Sequence, residues 1–225
     1  DCNIFLESIG KVNDISEAER SRWIAEVKFL KAFYHFHLLR MYGPIPLIKE
    51  NMPISAGTDQ VRVFREPVDE CIDYIVELLD EAMPDLPGEI GDKISEMGRI
   101  TYPIAASIKA KILVTAASPF YNGNTDYAGF IDKKDRTLFN QTFDPEKWKR
   151  AADACKAAID ACHENGIYLY NYVPGFGESV TQATIYQMNH RNSVCQRWNS
   201  ELIWGSPNHR SEEHTSELQS HSDLV

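Results

Sequence analysis

The chain has 225 residues, 43% of them hydrophobic, 25% charged and 11% aromatic, with a formal net charge of −10. Apolar side chains run through most of the sequence, which excludes a disordered protein, and the acidic balance argues against a nucleic-acid surface built from clustered Lys and Arg. No apolar run reaches the roughly 18–20 residues that span a bilayer, and no secretory signal pattern opens the chain.

The first strong element starts at Ser16, where Ser16 and Glu19 have the spacing of a capping box, and its periodic run lasts to Tyr42 before Gly43-Pro44 stops it. Its apolar side chains form two stripes. Trp23, Val27, Leu30, Tyr34, Leu38 and Met41 lie together, and Ala25, Phe29, Ala32, Phe36 and Leu39 lie opposite. A surface helix needs one apolar face, so two stripes predict a helix held between two layers of partners.

A second helix is predicted from Pro67 to Met83-Pro84, with Val68, Cys71, Ile72, Ile75, Leu78, Leu79 and Ala82 on one face. Its carboxylates lie mostly opposite, as a solvated face rather than a catalytic pair. A third, from about Thr101 to Ala117, is apolar in nearly every direction and should be buried on most sides. A fourth has Asp144 as N-cap, Pro145 in its first turn and Asn165-Gly166 as its stop. Trp148, Ala151, Ala152, Cys155, Ala158, Ile159 and Cys162 form its main stripe, and Ala154, Ala157 and Ala161 a stripe of small residues for close helix approach. Trp23 and Trp148, at helical spacing, read as core.

Two long inserts interrupt this series. Pro44–Glu66 contains the extended run Ile45-Pro46-Leu47-Ile48, and Ser118–Phe143 is rich in Gly, Asn, Asp and aromatics. Beyond Tyr168 come a glycine-rich loop, a short helix near Thr184–Asn189, and a strand at Ser200–Trp204. The fold expected is mainly α, with tetratricopeptide-like stacked helical hairpins and long loop insertions.

The last sixteen residues, Arg210–Val225, lack apolar periodicity and resemble the translation of a sequencing adapter, so they are set aside as a non-native, disordered tail. The tail carries one Arg and four acids, a net of −3, which leaves −7 on residues 1–209. On that reading the natural sequence is an N-terminal fragment, truncated on the right and on the left as well.

Five cysteines, with no CxxC spacing, support neither a disulfide framework nor a zinc site. Cys155 and Cys162 would stand about 10 Å apart along a helix, too far to bridge. The cysteines read as small hydrophobes. Cys2 follows Asp1 rather than the small residue of a lipoprotein cleavage site. There is no phosphate-cradling glycine loop, HExxH or GxSxG. His35 and His37 point about 200° apart on a helix and cannot share a metal. Neither a metal nor a cofactor site is expected. A glycosidase pair of acids is a weak alternative, since the acids sit on helix faces.

The run Ala25–Phe36, followed by Leu39-Arg40-Met41-Tyr42-Gly43-Pro44-Ile45-Pro46-Leu47-Ile48, resembles the signature helix and turn of the SusD/RagB family. The helix Val68–Ala82 ending in Leu86-Pro87, then Gly98-Arg99-Ile100-Thr101, then Ala116-Ala117-Ser118-Pro119-Phe120-Tyr121-Asn122-Gly123, Trp148 with Ala151-Ala152, and Ser200–Trp204 follow in the family's order. Together they cover nearly all of residues 1–209, which form a single SusD-like N-terminal helical region. The resemblance implies a surface-exposed lipoprotein of the outer membrane. Such a protein is not an enzyme: it captures a glycan, or sometimes a peptide, and hands it to a SusC-like TonB-dependent transporter. The lipidation signal and acylated Cys of that family are not found in this sequence. A tetratricopeptide-like protein-interaction scaffold is the alternative.

A glycan site needs exposed aromatic platforms beside polar groups, placed on loops of a rigid scaffold. The insert Ser118–Phe143 offers them. Tyr127, Asn122 and Asp126 are the better ligand candidates, while Phe120 and Tyr121 either join them or pin the loop to the core. Trp198 and Tyr186 are further candidates.

Overall fold

The computed structural model describes residues 1–177 and 179–206. The tail Arg210–Val225 lies outside them. Helices α1 (Cys2–Ser8), α2 (Glu17–Tyr42), α3 (Thr58–Val61), α4 (Val68–Ala82), α5 (Tyr102–Ala117), α6 (Pro145–Glu164) and α7 (Gln182–Cys195) follow in chain order. No extended strand occurs among the described residues, and the only ladder contact there is an isolated antiparallel bridge between Ile131 and Thr137. The mainly α, stacked-hairpin fold is therefore present, with α2 packed on α4 and α5 on α6.

The described residues divide into two compact units. The first comprises Asp1–Glu89 and Ile100–Tyr168, and the second Ile90–Arg99 with the residues from Leu169 onward.

In the first unit the predicted boundaries of α2 and α6 hold because their caps form. The Ser16 hydroxyl accepts from the Glu19 N–H at 3.2 Å while the Glu19 carboxylate accepts from the Ser16 N–H, also at 3.2 Å. This closes α2 at its start, and Gly43, at φ +70°, closes it at its end. Asp144 accepts from the Glu146 N–H at 2.9 Å to open α6, and Gly166, at φ +74°, ends it.

Burial on α2 is deep on one stripe and partial on the other, so the two-layer expectation fails over the C-terminal half of the helix. Ala25, Phe29, Ala32, Phe36 and Leu39 are at most 1% exposed, whereas Tyr34 is 54% and Met41 75% exposed. The stripe facing α4 supplies the core, while the other stripe is half-buried at Trp23, Val27 and Leu30 and open at Tyr34, Leu38 and Met41. Each fully buried Phe or Leu contributes roughly 1.5–3 kcal/mol, so the Phe29–Leu39 face anchors the helix.

On α4 all seven face residues named above are buried, with Val76 added. Cys71 sits among them, its Sγ 3.5 Å from the Glu66 carbonyl oxygen, and burial pushes its thiol up to about 11. Cys162 is also buried, so both behave as small hydrophobes, while Cys195 is exposed. Helix α5 lies against both α4 and α6, which explains its burial in most directions.

The α5–α6 seam is made of alanines: Ala106 and Ala110 meet Ala158 and Ala161, with Tyr102, Ala154 and Cys155 packed around them. Small side chains let two helix backbones approach closely. The buried face of α6 therefore runs between the two predicted stripes. Trp148 and Ile159 fall outside it, at 45% and 51% exposed, and Trp148 is not core. Trp23 is half-buried.

Helix α1, absent from the sequence reading, has no side-chain cap and no buried residue. Contacts with α2 and a bond from Asn3 Nδ2 to the Ile48 carbonyl at 3.1 Å hold it.

In the second unit α7 extends the short helix expected at Thr184–Asn189 in both directions, and the Thr181 hydroxyl caps it by accepting from the Thr184 N–H. The expected strand at Ser200–Trp204 is irregular chain. Its polar groups are satisfied by other means than a sheet: the Glu201 carboxylate accepts from the Tyr170 N–H at 3.0 Å, and the Trp204 indole N–H donates to the Gly98 carbonyl at 3.1 Å.

Candidate functional site

The insert between α5 and α6 folds around aromatic rings. Tyr121 leaves the end of α5 in a turn closed by its N–H to the Ser118 carbonyl at 2.9 Å. It is 7% exposed, and its hydroxyl faces the Leu39 carbonyl oxygen at 3.5 Å. Burial raises its hydroxyl above the usual tyrosine range. Gly123 follows at φ +78°, where a Cβ would stand 2.9 Å from the Phe143 backbone nitrogen, so only glycine lets the two ends of the insert approach this closely.

Beyond this turn, Tyr127 stacks on Phe139 at 4.6 Å between centroids and 18° between planes, and Phe139 in turn stacks on Tyr121 at 6.1 Å and 12°. Phe120 stands edge-on to all three rings, at interplanar angles of 80°, 71° and 89°. Phe139, 3% exposed, is the buried centre, whereas Phe120 is 45% and Tyr127 38% exposed. The arrangement presents partly exposed rings on a packed base, with exposed Asp126 beside them and the half-buried Asn124 carboxamide accepting from the Asp126 N–H at 3.0 Å. Of these rings Phe139 alone borders a cleft of about 380 Å³, whose other walls are Pro67, Asp69, Thr137, Leu138 and residues 140–142. Apolar faces bordered by amide and hydroxyl groups suit a neutral amphipathic ligand.

The candidates from sequence thus separate. Phe120, Tyr127 and Asp126 come together at the surface of the first unit. Asn122 does not join them: it is 3% exposed, and its carboxamide bonds the backbone of Asp144 through both Nδ2 and Oδ1. Tyr121 is likewise buried, as a base for the stack rather than a contact surface. Both are corrected from ligand candidates to supports.

Tyr186 and Trp198 belong to the second unit. Tyr186 is 65% exposed on α7, and Trp198 is half-buried at φ +54°, a left-handed conformation that costs a non-glycine residue about 1–2 kcal/mol. The Arg197 guanidinium lies 5.8 Å from its ring centroid.

Two parts of the site escape a reading by residue type. Phe139 is its central ring, and Arg136 ties the insert to Glu66 at 2.6 Å. The apolar pair Leu138-Phe139 inside an otherwise polar stretch was the available signal. Arg136 has a local partner in Asp132, four residues back, but nothing local marks its bond to Glu66, 70 residues away.

Residues 1–112 match the model of a SusD-like family described as starch-binding and associating with the outer membrane. A SusD-like protein of Bacteroides ovatus is 30% identical over 118 residues, which are 52% of this chain and 20% of that relative. The solved structure of BT4246 superposes with a TM-score of 0.80 at 32% identity, over 92% of this chain and 39% of that one. A SusD superfamily protein from Parabacteroides distasonis has the same fold, with a TM-score of 0.54 at 23% identity over 75% of this chain and 30% of that one. The chain belongs to the SusD-like family, and it spans about two fifths of the length of BT4246.

Proposed function

We propose that this chain is part of a non-enzymatic, surface-exposed glycan-binding protein of an outer membrane. It captures an oligosaccharide by stacking and hydrogen bonding, then hands it to a SusC-like TonB-dependent transporter, and no bond is made or broken. Anchoring would be through a lipid, as in a lipoprotein. The family description of starch binding at the outer membrane supports this reading. The observation that carries it is the exposed Tyr127–Phe120 surface, backed by the buried ring of Phe139. A pyranose face laid on Tyr127 would leave its hydroxyls for Asp126. Tyr186 and Trp198 are proposed as a second aromatic contact region within the other unit.

A glycan array tests the proposal. The chain is expected to retain at least one oligosaccharide, and Tyr127→Ala to lose it with little change in melting temperature. Retention unchanged in Tyr127→Ala and Phe120→Ala would remove this surface from the site. Recovery of a TonB-dependent transporter in a pull-down from outer membranes tests the hand-off.

A second reading, a tetratricopeptide-like interaction scaffold, is favoured by the open apolar flank of α2 at Tyr34, Leu38 and Met41. It predicts capture of a peptide and indifference to sugars.

A further inference from the structure

We propose that Arg136 is a positioning residue that clasps the two inserts together and so fixes the shape of the aromatic surface. The proposal rests on the glycan-binding reading and adds how the site is held ready.

The Arg136 guanidinium uses all three of its nitrogens. Nε donates to Asp132 Oδ2 at 2.8 Å, Nη1 to Glu66 Oε2 at 2.6 Å and Nη2 to the Arg65 carbonyl at 3.1 Å. Asp132, whose side chain is 5% exposed, accepts in addition from the N–H groups of Lys134 at 2.8 Å and Arg136 at 2.9 Å. These bonds close a tight hairpin. The Asp132 N–H donates to the Arg136 carbonyl and the Leu138 N–H to the Phe130 carbonyl, at 3.0 and 3.1 Å.

One arm of the hairpin begins at Phe130, and the other runs through Leu138 into Phe139. Both rings belong to the cluster, since Phe130 lies 6.5 Å from Tyr127 and 6.2 Å from Phe139 between centroids. At its base the hairpin is tied to α4, where the Val68 N–H donates to the Leu138 carbonyl at 2.9 Å. Near its turn, Arg136 holds it to Arg65 and Glu66 of the other insert. Lys134 over the Phe64 ring and Arg65 over the Phe130 ring join the same two segments through less directional contacts, and the Arg136 bonds add the fixed geometry that sets the orientation. A platform left to swing must be ordered each time a ligand binds, and that cost is subtracted from affinity. A lysine would keep the charge but not the planar fork that meets three acceptors in different directions.

The test uses the full chain carrying Arg136→Gln or Arg136→Lys. Hydrogen exchange is read over residues 126–139 and over α4 and α6, the fluorine resonance of 3-fluorotyrosine at Tyr127 is recorded, and affinity is measured for maltoheptaose. Both variants are expected to speed exchange in the insert about tenfold, shift the Tyr127 resonance and leave the helices protected. Maltoheptaose affinity should fall about tenfold, with no further loss when Arg136→Gln is added to Tyr127→Ala, because both act through one surface. An unchanged insert in Arg136→Gln, wild-type behaviour of Arg136→Lys, or loss of protection throughout α4 and α6 would overturn the proposal. If the wild-type chain binds no maltoheptaose, the starch-like ligand fails while the exchange and fluorine readouts still decide the clasp.

Discussion

Asn122 and Asp144 bond to each other twice across 22 residues: the Asn122 carboxamide donates to the Asp144 carbonyl at 2.9 Å and accepts from the Asp144 N–H at 2.8 Å. The side chain thus acts as a strand would, satisfying both backbone groups of the residue that caps α6. The two ends of the insert are joined at this point, and Lys147 reinforces the join by donating to Asp69 at 2.5 Å and to the Tyr121 carbonyl at 3.2 Å. Asn122→Ala leaves a part-buried N–H and carbonyl of Asp144 without this partner, at about 1–2 kcal/mol each. The expected loss is about 2–4 kcal/mol, or a fall of about 5–15 °C in melting temperature for a chain of this size. Thermal unfolding measures it. A melting temperature unchanged in Asn122→Ala, with glycan retention lost, would return Asn122 to the contact surface.

The ring stack separates support from contact. Phe139→Ala removes a buried ring that touches Tyr121, Tyr127, Phe120 and Phe130, and should cost about 3–5 kcal/mol. Tyr127→Ala removes an outer ring with one face already in solvent, and should cost about 1 kcal/mol. The opposite order of the two in urea unfolding would mean that Tyr127 is the keystone and Phe139 a surface ring.

Acid should act in two windows. Burial holds His35 below its ordinary value of 6.5, and its Nδ1 bonds the Lys31 carbonyl at 2.7 Å. A histidine depressed in the folded state is more easily protonated when unfolded, so its contribution is present above about 6.5 and is lost as pH falls through its lowered folded value. Asp132 also titrates below its ordinary 3.8: although burial opposes the shift, the hydrogen bonds and charge of Arg136 and the Lys134 N–H outweigh it. Its contribution is present above that value and is lost only in stronger acid. Stability followed by urea midpoint from pH 7.5 to 2.5 should therefore fall in two stages, with insert amides loosening in the second. His35→Phe should remove the first stage and Asp132→Asn the second. A single stage unaffected by either substitution would refute both assignments.

The helices were legible because caps and periodicity are local. Ser16 with Glu19, Asp144 with Pro145, and Gly166 each act within one turn of chain, and the faces of α4 follow from residue spacing alone. What could not be read depended on partners distant in sequence. Asn122 carries the chemistry of a ligand residue and the environment of a structural one, and only Asp144, 22 positions on, decides between them. The Ser200–Trp204 stretch has strand-like residues, but a strand needs a neighbouring strand, and its backbone is satisfied by Asn199 and a turn instead. The face of α6 was misplaced because alanine stripes point in several directions, and the alanines of α5 select one of them.

The same limit explains α2, where two apolar stripes of similar strength leave the sequence unable to say which is covered. Leu39 is fully buried, while its neighbour Leu38 is 46% exposed and Met41 is 75% exposed. Leu39→Ala should therefore cost about 2–5 kcal/mol through the cavity it opens. Leu38→Gln and Met41→Gln, on the open flank, should each stay within about 0.5 kcal/mol of wild type. Urea unfolding of the three variants checks this directly. A loss above about 2 kcal/mol for Met41→Gln would show a covered outer flank and restore the two-layer arrangement first expected for this helix.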